Sequence, residues 1–284
     1  MKISRVISWL FLGFMVLFIL VPFLMILLTS VKSMPEINDI AHRNLFQRLF
    51  PDRITNLGNY ILVISGKSKL LSGTSFLVYV KNSIIVVFLS LAPAVFFTVT
   101  AAYGFAKFTF PFKNVMLFTL LGLLIVPMEM VSIPLYLIVA RLKLANTFVG
   151  IAIPFAISAF GLFIMKDAIE PIPTEYIEAA RSDGAGEFWI LVRVILPMVK
   201  SAIVTFVIIK FLWTWNEYFW PLLVVNADNM KTVTLGLTRF SNAYFKEYSE
   251  LSAAVVLSLL PILVIYIFSR RYIAAGVVLS GLKS

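Results

Sequence analysis

Long apolar runs separated by polar interruptions dominate the chain. Six of them are long enough to cross roughly 30 Å of hydrocarbon at about 1.5 Å per residue. They are Val6–Val31, Ser83–Ala106, Val115–Val139, Phe148–Met165, Ser201–Val225 and Leu251–Phe268. Lipid cannot satisfy open backbone groups, so each run predicts a helix. The alternating period of a membrane barrel is absent. The expected fold is therefore an all-α membrane protein with about six transmembrane helices. The first run follows Lys2 and Arg5. It exceeds the roughly 7–15 apolar residues of a signal peptide and no A-x-A site follows, so it is expected to stay as an anchor.

Two hydrophilic stretches interrupt the runs. Residues 32–81 read as a small extramembrane cap, and residues 166–200 form the loop between spans four and five. This divides the chain into a first helix (1–31), the cap (32–81), a core transmembrane region (82–273) containing the loop 166–200, and a tail (274–284). An even number of spans puts both termini on one side. The basic N-terminus and the Ser269-Arg270-Arg271 exit of the last span make that side the cytoplasm. The cap is then external and the 166–200 loop cytoplasmic. Lys and Arg are otherwise balanced between the two sides, so orientation rests on the ends.

Composition narrows the chemistry. The chain is 61% hydrophobic and 13% charged, against about 25% charged in ordinary soluble domains. It has no cysteine, and its one histidine, His42, lies in the polar cap. Thiolate sites, His-pair zinc sites and Ser-His-Asp triads are thereby excluded. The net charge of +10 is scattered at the ends of apolar runs rather than clustered. That suits anionic lipid and not nucleic acid. No Walker A motif is present, so ATP cannot be hydrolysed by this chain.

The 166–200 loop carries the most information. Thr174 is placed to cap a helix, with Glu175 and Glu178 near its positive end. Ala179 and Ala180 favour helix with almost no bulk, and Asp183-Gly184 is a turn that ends it. A second helix, about Glu187–Leu196, is expected to break or kink at Pro197. The spacing predicts a short helical hairpin that shows Tyr176, Ile177 and two alanines where a solvated loop would show charge. Such a face either docks in a partner's groove or packs on the chain's own spans.

Glu178-Ala179-Ala180, then Gly184, then Val194-Ile195-Leu196-Pro197 resembles the EAA signature of ABC-importer permeases: EAA, three residues, Gly, nine residues, I-x-L-P. The one departure is Val194 at the isoleucine position. Further likeness to the carbohydrate-uptake, MalG-like type covers most of the chain. It runs through Asn59-Tyr60, Asn82-Ser83, Ala101–Ala106, Phe110-Pro111, Pro134-Leu135-Tyr136, Trp215–Tyr218, Trp220-Pro221-Leu222, Arg271-Tyr272 and Ala275-Gly276. The tail Leu279–Lys283 matches that type only loosely.

The resemblance implies a permease subunit of a binding-protein-dependent importer in a bacterial or archaeal inner membrane. It also implies partners: cytoplasmic ATPase subunits that hold ATP and Mg, a second permease and an external solute-binding protein. No cofactor is expected on this chain. Glu178, Ala179, Ala180, Gly184, Val194, Leu196 and Pro197 would form the ATPase-docking element.

Three ionisable residues fall inside the apolar runs: Glu129, Lys210 and Glu217. Charge costs at least about 2.5–3.5 kcal/mol near a bilayer centre, so such residues usually face a cavity or a partner. Trp215, Asn216, Glu217, Tyr218 and Trp220 could line a solute pathway, since sugars suit aromatic faces and hydrogen-bonding groups. They could equally form an interfacial aromatic belt. A rival function is ion-gradient-driven transport through Glu129 and Glu217; it calls for inverted repeats, and none is visible. Gly161 and Ala159 suit close helix packing.

Overall fold

The computed structural model describes residues 2–39, 43–54, 56–240 and 247–281. His42 and the Leu282-Lys283 end of the tail lie outside them. All regular elements among the described residues are helical. In chain order they are α1 (Lys2–Ser30), α2 (Met34–Asn38), α3 (Leu45–Leu49), α4 (Gly58–Ser65), α5 (Phe76–Lys107), α6 (Lys113–Leu123), α7 (Met128–Arg141) and α8 (Phe148–Ala152). A 3-10 turn, Ile153–Phe155, leads to α9 (Ala159–Ile169) and α10 (Glu175–Ser182). Then come α11 (Glu187–Ile190), a π-helical turn (Leu191–Ile195), α12 (Leu196–Met198), α13 (Lys200–Asn216), α14 (Phe219–Val224), α15 (Val233–Leu237) and α16 (Tyr248–Gly281).

Among the described residues, three helices are long and apolar enough to cross a membrane unbroken: Ile7–Ser30, Phe76–Lys107 and Tyr248–Arg270. Three more crossings arise if each bent pair counts as one span. The most apolar stretch of α1 has no buried residue, and Trp9 and Phe18 are 73% and 69% exposed. Such a surface is stable only against lipid or another apolar face.

The expected spans two and six are continuous helices, and Pro93 and Pro261 leave them unbroken. Spans three, four and five are corrected. Val115–Val139 is two helices, α6 and α7, at 99° to each other. Pro127, in extended conformation, sits at the start of the second. Phe148–Met165 bends by 46° after the 3-10 turn that contains Pro154. Ser201–Val225 is not one helix: α13 ends at Asn216, Glu217 is extended, and α14 is separate. Proline lacks an N–H and pushes its predecessor out of helix, but an apolar run reads the same across such a break.

The chain divides into two compact units, residues 1–80 with 235–261 and residues 81–234 with 262–284. In the first, Phe76 meets Tyr79 and Phe240 edge-on at 5.8 and 6.2 Å. Its polar part is held by buried hydrogen bonds. Asn59 Nδ2 donates to the carbonyls of Ser30 and Lys32, both at 2.8 Å.

In the second unit, α9 packs on α13 through Gly161. A Cβ there would lie 2.2 Å from Phe206 Cε2, so only glycine admits this approach. A loop between α14 and α15 is fastened to the N-terminal part of α5. Asn82 Nδ2 donates to the carbonyls of Asn229 and Lys231, and Ser83 Oγ accepts from the N–H of Val233. A buried apolar cluster joins Val99, Ala102, Tyr103 and Phe105 of α5 to Leu162, Met165 and Ile169 of α9. It continues into Ile177, Ile190, Leu191 and Ile195 of the hairpin.

Candidate functional site

The hairpin forms as its composition requires, with two differences. Thr174 does stand before α10, but its side chain makes no capping bond. Its backbone is already near-helical (φ −69°, ψ −22°), whereas a side-chain cap needs an extended residue. Its carbonyl instead accepts from the N–H groups of Ile177 and Glu178, at 2.9 and 3.0 Å.

At the other end the chain closes as a Schellman motif. Ala185 N–H donates to Ala180 O at 3.0 Å, and Gly184 N–H to Arg181 O at 2.9 Å. Gly184 has φ +84°, in the left-handed region that glycine enters without penalty.

The return helix does not kink at Pro197. The π-helical turn passes Leu196 N–H back to Leu191 O, and Pro197 follows in the first turn of α12, where no N–H is required. The chain leaves helical geometry two residues later, at Val199 (φ −104°, ψ 20°). There the segment Glu187–Met198 meets α13 at 86°.

One face of α10 is anchored and the other is free. Ile177 is 1% exposed and lies in the apolar cluster, with Ala180 packed partly against it. Glu178, Ala179 and Gly184 are exposed. Val194 and Leu196 are half-buried against the same cluster, and Pro197 is exposed. Ala180, Asp183, Gly184, Ala185, Gly186, Trp189 and Val194 line an open concavity of about 620 Å³. Trp189 in this lining is 53% exposed, and Tyr176 and Phe188 of the same hairpin are 55 and 65% exposed. The hairpin thus gathers Ala180, Gly184 and Val194 of the expected docking residues around one hollow. Leu196 and Pro197 stand behind it.

Sequence reasoning did not find the polar contact under this hairpin. Tyr103 Oη, on α5, donates to Glu187 Oε2 at 2.8 Å, and Arg181 Nε donates to Glu187 Oε1 at 2.6 Å. The Arg181 guanidinium lies 5.7 Å from the centre of the Phe108 ring. Tyr103 belongs to the Ala101–Ala106 tract, but its partner is 84 residues away, and nothing local pairs them.

The second group of expected residues is divided. Trp215 and Trp220 are 2% and 0% exposed, and Trp220 Nε1 donates to Gly150 O at 3.2 Å. Both are interior. Asn216 and Tyr218 are exposed where α13 gives way to α14. Glu217 Oε1 accepts from Trp220 N–H at 3.0 Å, so it caps α14.

Of the three ionisable residues placed inside spans, only Lys210 sits within a helix and buried, its Nζ 5.4 Å from the Phe155 ring centre. Glu129 is exposed in the first turn of α7, at the bend. That position favours a carboxylate without any pathway.

A polytopic helical fold with an exposed EAA-type hairpin defines a membrane permease. This chain belongs to the family of binding-protein-dependent transport system inner membrane components, which matches residues 94–278. It is similar to the arabinooligosaccharides transport system permease protein AraQ of Halalkalibacterium halodurans, with 30% identity over 288 residues and 99% of each chain covered. AraQ of Bacillus subtilis is 27% identical over 282 residues, covering 99% of this chain and 97% of that one. The sn-glycerol-3-phosphate transport system permease protein UgpE of Yersinia pestis is 27% identical over 209 residues, covering 73% and 74%.

A chain in the crystal structure of a bacterial ABC transporter involved in the import of the acidic polysaccharide alginate shares the fold. The TM-score is 0.79 at 24% identity, with 96% of this chain and 97% of that one covered. The protein is thus a permease subunit of an ABC importer, coupled to ATP through separate subunits, and not itself an enzyme. The ion-gradient alternative has no support in these relationships.

Proposed function

We propose that this permease imports a carbohydrate or related polyol delivered by an external solute-binding protein, and that α10 is the element seated on a cytoplasmic ATPase. The observation that carries the docking role is the exposed hollow around Ala180 and Gly184, with apolar side chains on its rim and an apolar anchor beneath. A free apolar surface of this kind gains by burial against a partner. Glu178, Ala179 and Gly184 form the presented edge; Val194, Leu196 and Pro197 hold the return helix that supports it. ATP and Mg are assigned to the partner subunits, and both termini to the cytoplasm.

The carbohydrate class is supported by the relatives named for arabinooligosaccharides and glycerol phosphate. At the α13–α14 break, Asn216 and Tyr218 are the groups proposed to face solute, with Glu217 between them. Trp215 and Trp220 serve as their scaffold. A second permease completes the pathway. Alternating access then follows from the partners' different affinities for its two states.

Co-purification of the ATPase with wild type, Ala180→Arg and Gly184→Trp tests the docking role. Loss of the ATPase from both variants, with the permease still folded, is expected. Retention by both, or no ATPase on folded wild type, defeats it.

A further inference from the structure

We infer that Glu187 is a positioning residue that fastens the coupling hairpin to α5, so that a push on α10 moves this long span. The inference rests on the reading of α10 as the ATPase-docking element.

Glu187 divides its two oxygens between two different helices. Oε1 accepts from Arg181 Nε at 2.6 Å, on α10, and Oε2 accepts from Tyr103 Oη at 2.8 Å, on α5. Glu187 itself opens α11, where a carboxylate suits the helix N-terminus. One carboxylate therefore ties the end of the coupling helix, the start of the return helix and a span together. Arg181 is held in the same place from its other side, over the Phe108 ring, which meets Tyr103 edge-on at 5.4 Å.

The connection between α9 and α10 is tied to the same span. Lys107 Nζ, in the last turn of α5, donates to Glu170 O at 2.9 Å and also to Ile172 O. The segment that leads into the coupling helix and the end of that helix are thus both fastened to the last two turns of α5. Between the two ties, Ile177 and Tyr103 share the buried cluster. Because α5 runs unbroken over Phe76–Lys107, displacement of its end is carried along its length.

The energetics favour a geometric role over a stabilising one. The Arg181 and Glu187 side chains are 39% and 45% exposed, so their attraction is screened by solvent and contributes little to folding. The apolar cluster holds the hairpin in place without it. What the polar tie adds is direction. Burial is non-directional, whereas hydrogen bonds to two donors depend on angle and set one register.

The test uses the assembled transporter, with its ATPase, second permease and binding protein, in proteoliposomes. Wild type is compared with Glu187→Ala, Tyr103→Phe and the double variant. Three quantities are read: ATPase retained on purification, ATP hydrolysed, and solute transported per ATP. ATPase retention is expected to stay at the wild-type level. Transport per ATP is expected to fall about fivefold or more in each single variant, at the low end of typical coupling between sites. The double variant should be no worse than the worse single one, because both break the same link.

Transport per ATP at the wild-type level in both single variants overturns the inference. So does loss of ATPase from both, which would make the tie merely structural. Ala180→Arg, run alongside, separates the two readings. If it sheds the ATPase while Glu187→Ala transports normally, docking stands and the tie fails. If Ala180→Arg keeps the ATPase and transports normally, the docking reading itself fails.

Discussion

The two hydrophilic interruptions of the chain look alike in sequence, yet they are built on opposite principles. Between α1 and α5 the backbone is held by buried polar side chains. Asn59 bridges the carbonyls of Ser30 and Lys32, Lys32 Nζ donates to Arg48 O, and Glu36 accepts from the N–H groups of Ser33 and Asp52. Arg43 and Asp52 form a two-pronged pair, at 2.8 and 2.7 Å.

The hairpin between α9 and α13 is instead held from below by Ile177, Ile190, Leu191 and Ile195, with partly exposed polar ties beside them. The first region takes its shape from hydrogen bonds that depend on individual atoms and on charge. The second takes its shape from burial, which leaves its outer face free to meet a partner.

The contrast can be broken most sharply at Ile177. Ile177→Ala removes the fully buried anchor of α10 and is expected to destabilise the hairpin by about 2–5 kcal/mol. Limited proteolysis at the Asp183–Gly186 turn reads this, and an unchanged cleavage rate would mean that burial does not hold the hairpin.

The matching change in the other region is Asn59→Ala. It strands two carbonyls and is expected to cost about 1–3 kcal/mol, read as faster cleavage between α1 and α4 with the hairpin unaffected. Equal protection in wild type and variant would show that the polar scaffold is dispensable there.

The smallest expected effect is acid sensitivity confined to the α1–α5 segment. The Arg43 hydrogen bonds hold the Asp52 carboxyl below its ordinary range, against partial burial. At Glu36 burial opposes ionisation, but the N–H groups of Asp52 and Ser33 and the Ser33 hydroxyl outweigh it and lower its pKa as well. Both groups therefore contribute stability in full above the ordinary carboxylate range of about 3.9–4.3, and lose it as pH falls through their depressed folded values. Hydrogen exchange followed from pH 7 downward should show this segment opening first, with the Ile177 cluster still protected. Simultaneous opening of both regions would erase the distinction.

Much of this protein was legible before any coordinate. The apolar runs identified the helical class and the unbroken first, second and last spans, and Gly184 announced the turn that its positive φ now explains. Glu178-Ala179-Ala180 and Gly184 pointed to the hairpin that carries the exposed hollow. Gly161 was readable as a close-packing position, though not its partner Phe206.

The misreadings have two causes. Glu129 and Glu217 sit in runs apolar enough to be spans, so they read as charges in lipid. The helices in fact break beside them, and each carboxylate serves a helix N-terminus. Trp215 and Trp220 read as candidates for sugar contact, because nothing local distinguishes an aromatic side chain that faces a pathway from one that packs inside.

Sequence alone determined the class of the protein. Burying backbone in lipid demands helices of a certain length, and that demand is written in consecutive residues. It also determined the coupling hairpin, because turn chemistry and small-residue spacing are local. Only the tertiary structure decided where the apolar runs bend, which aromatic residues lie inside, and that Glu187 holds Tyr103 and Arg181 at once. An apolar run reads the same across a local break, and hydrophobic periodicity carries no record of which distant side chains, such as Tyr103 and Glu187, meet.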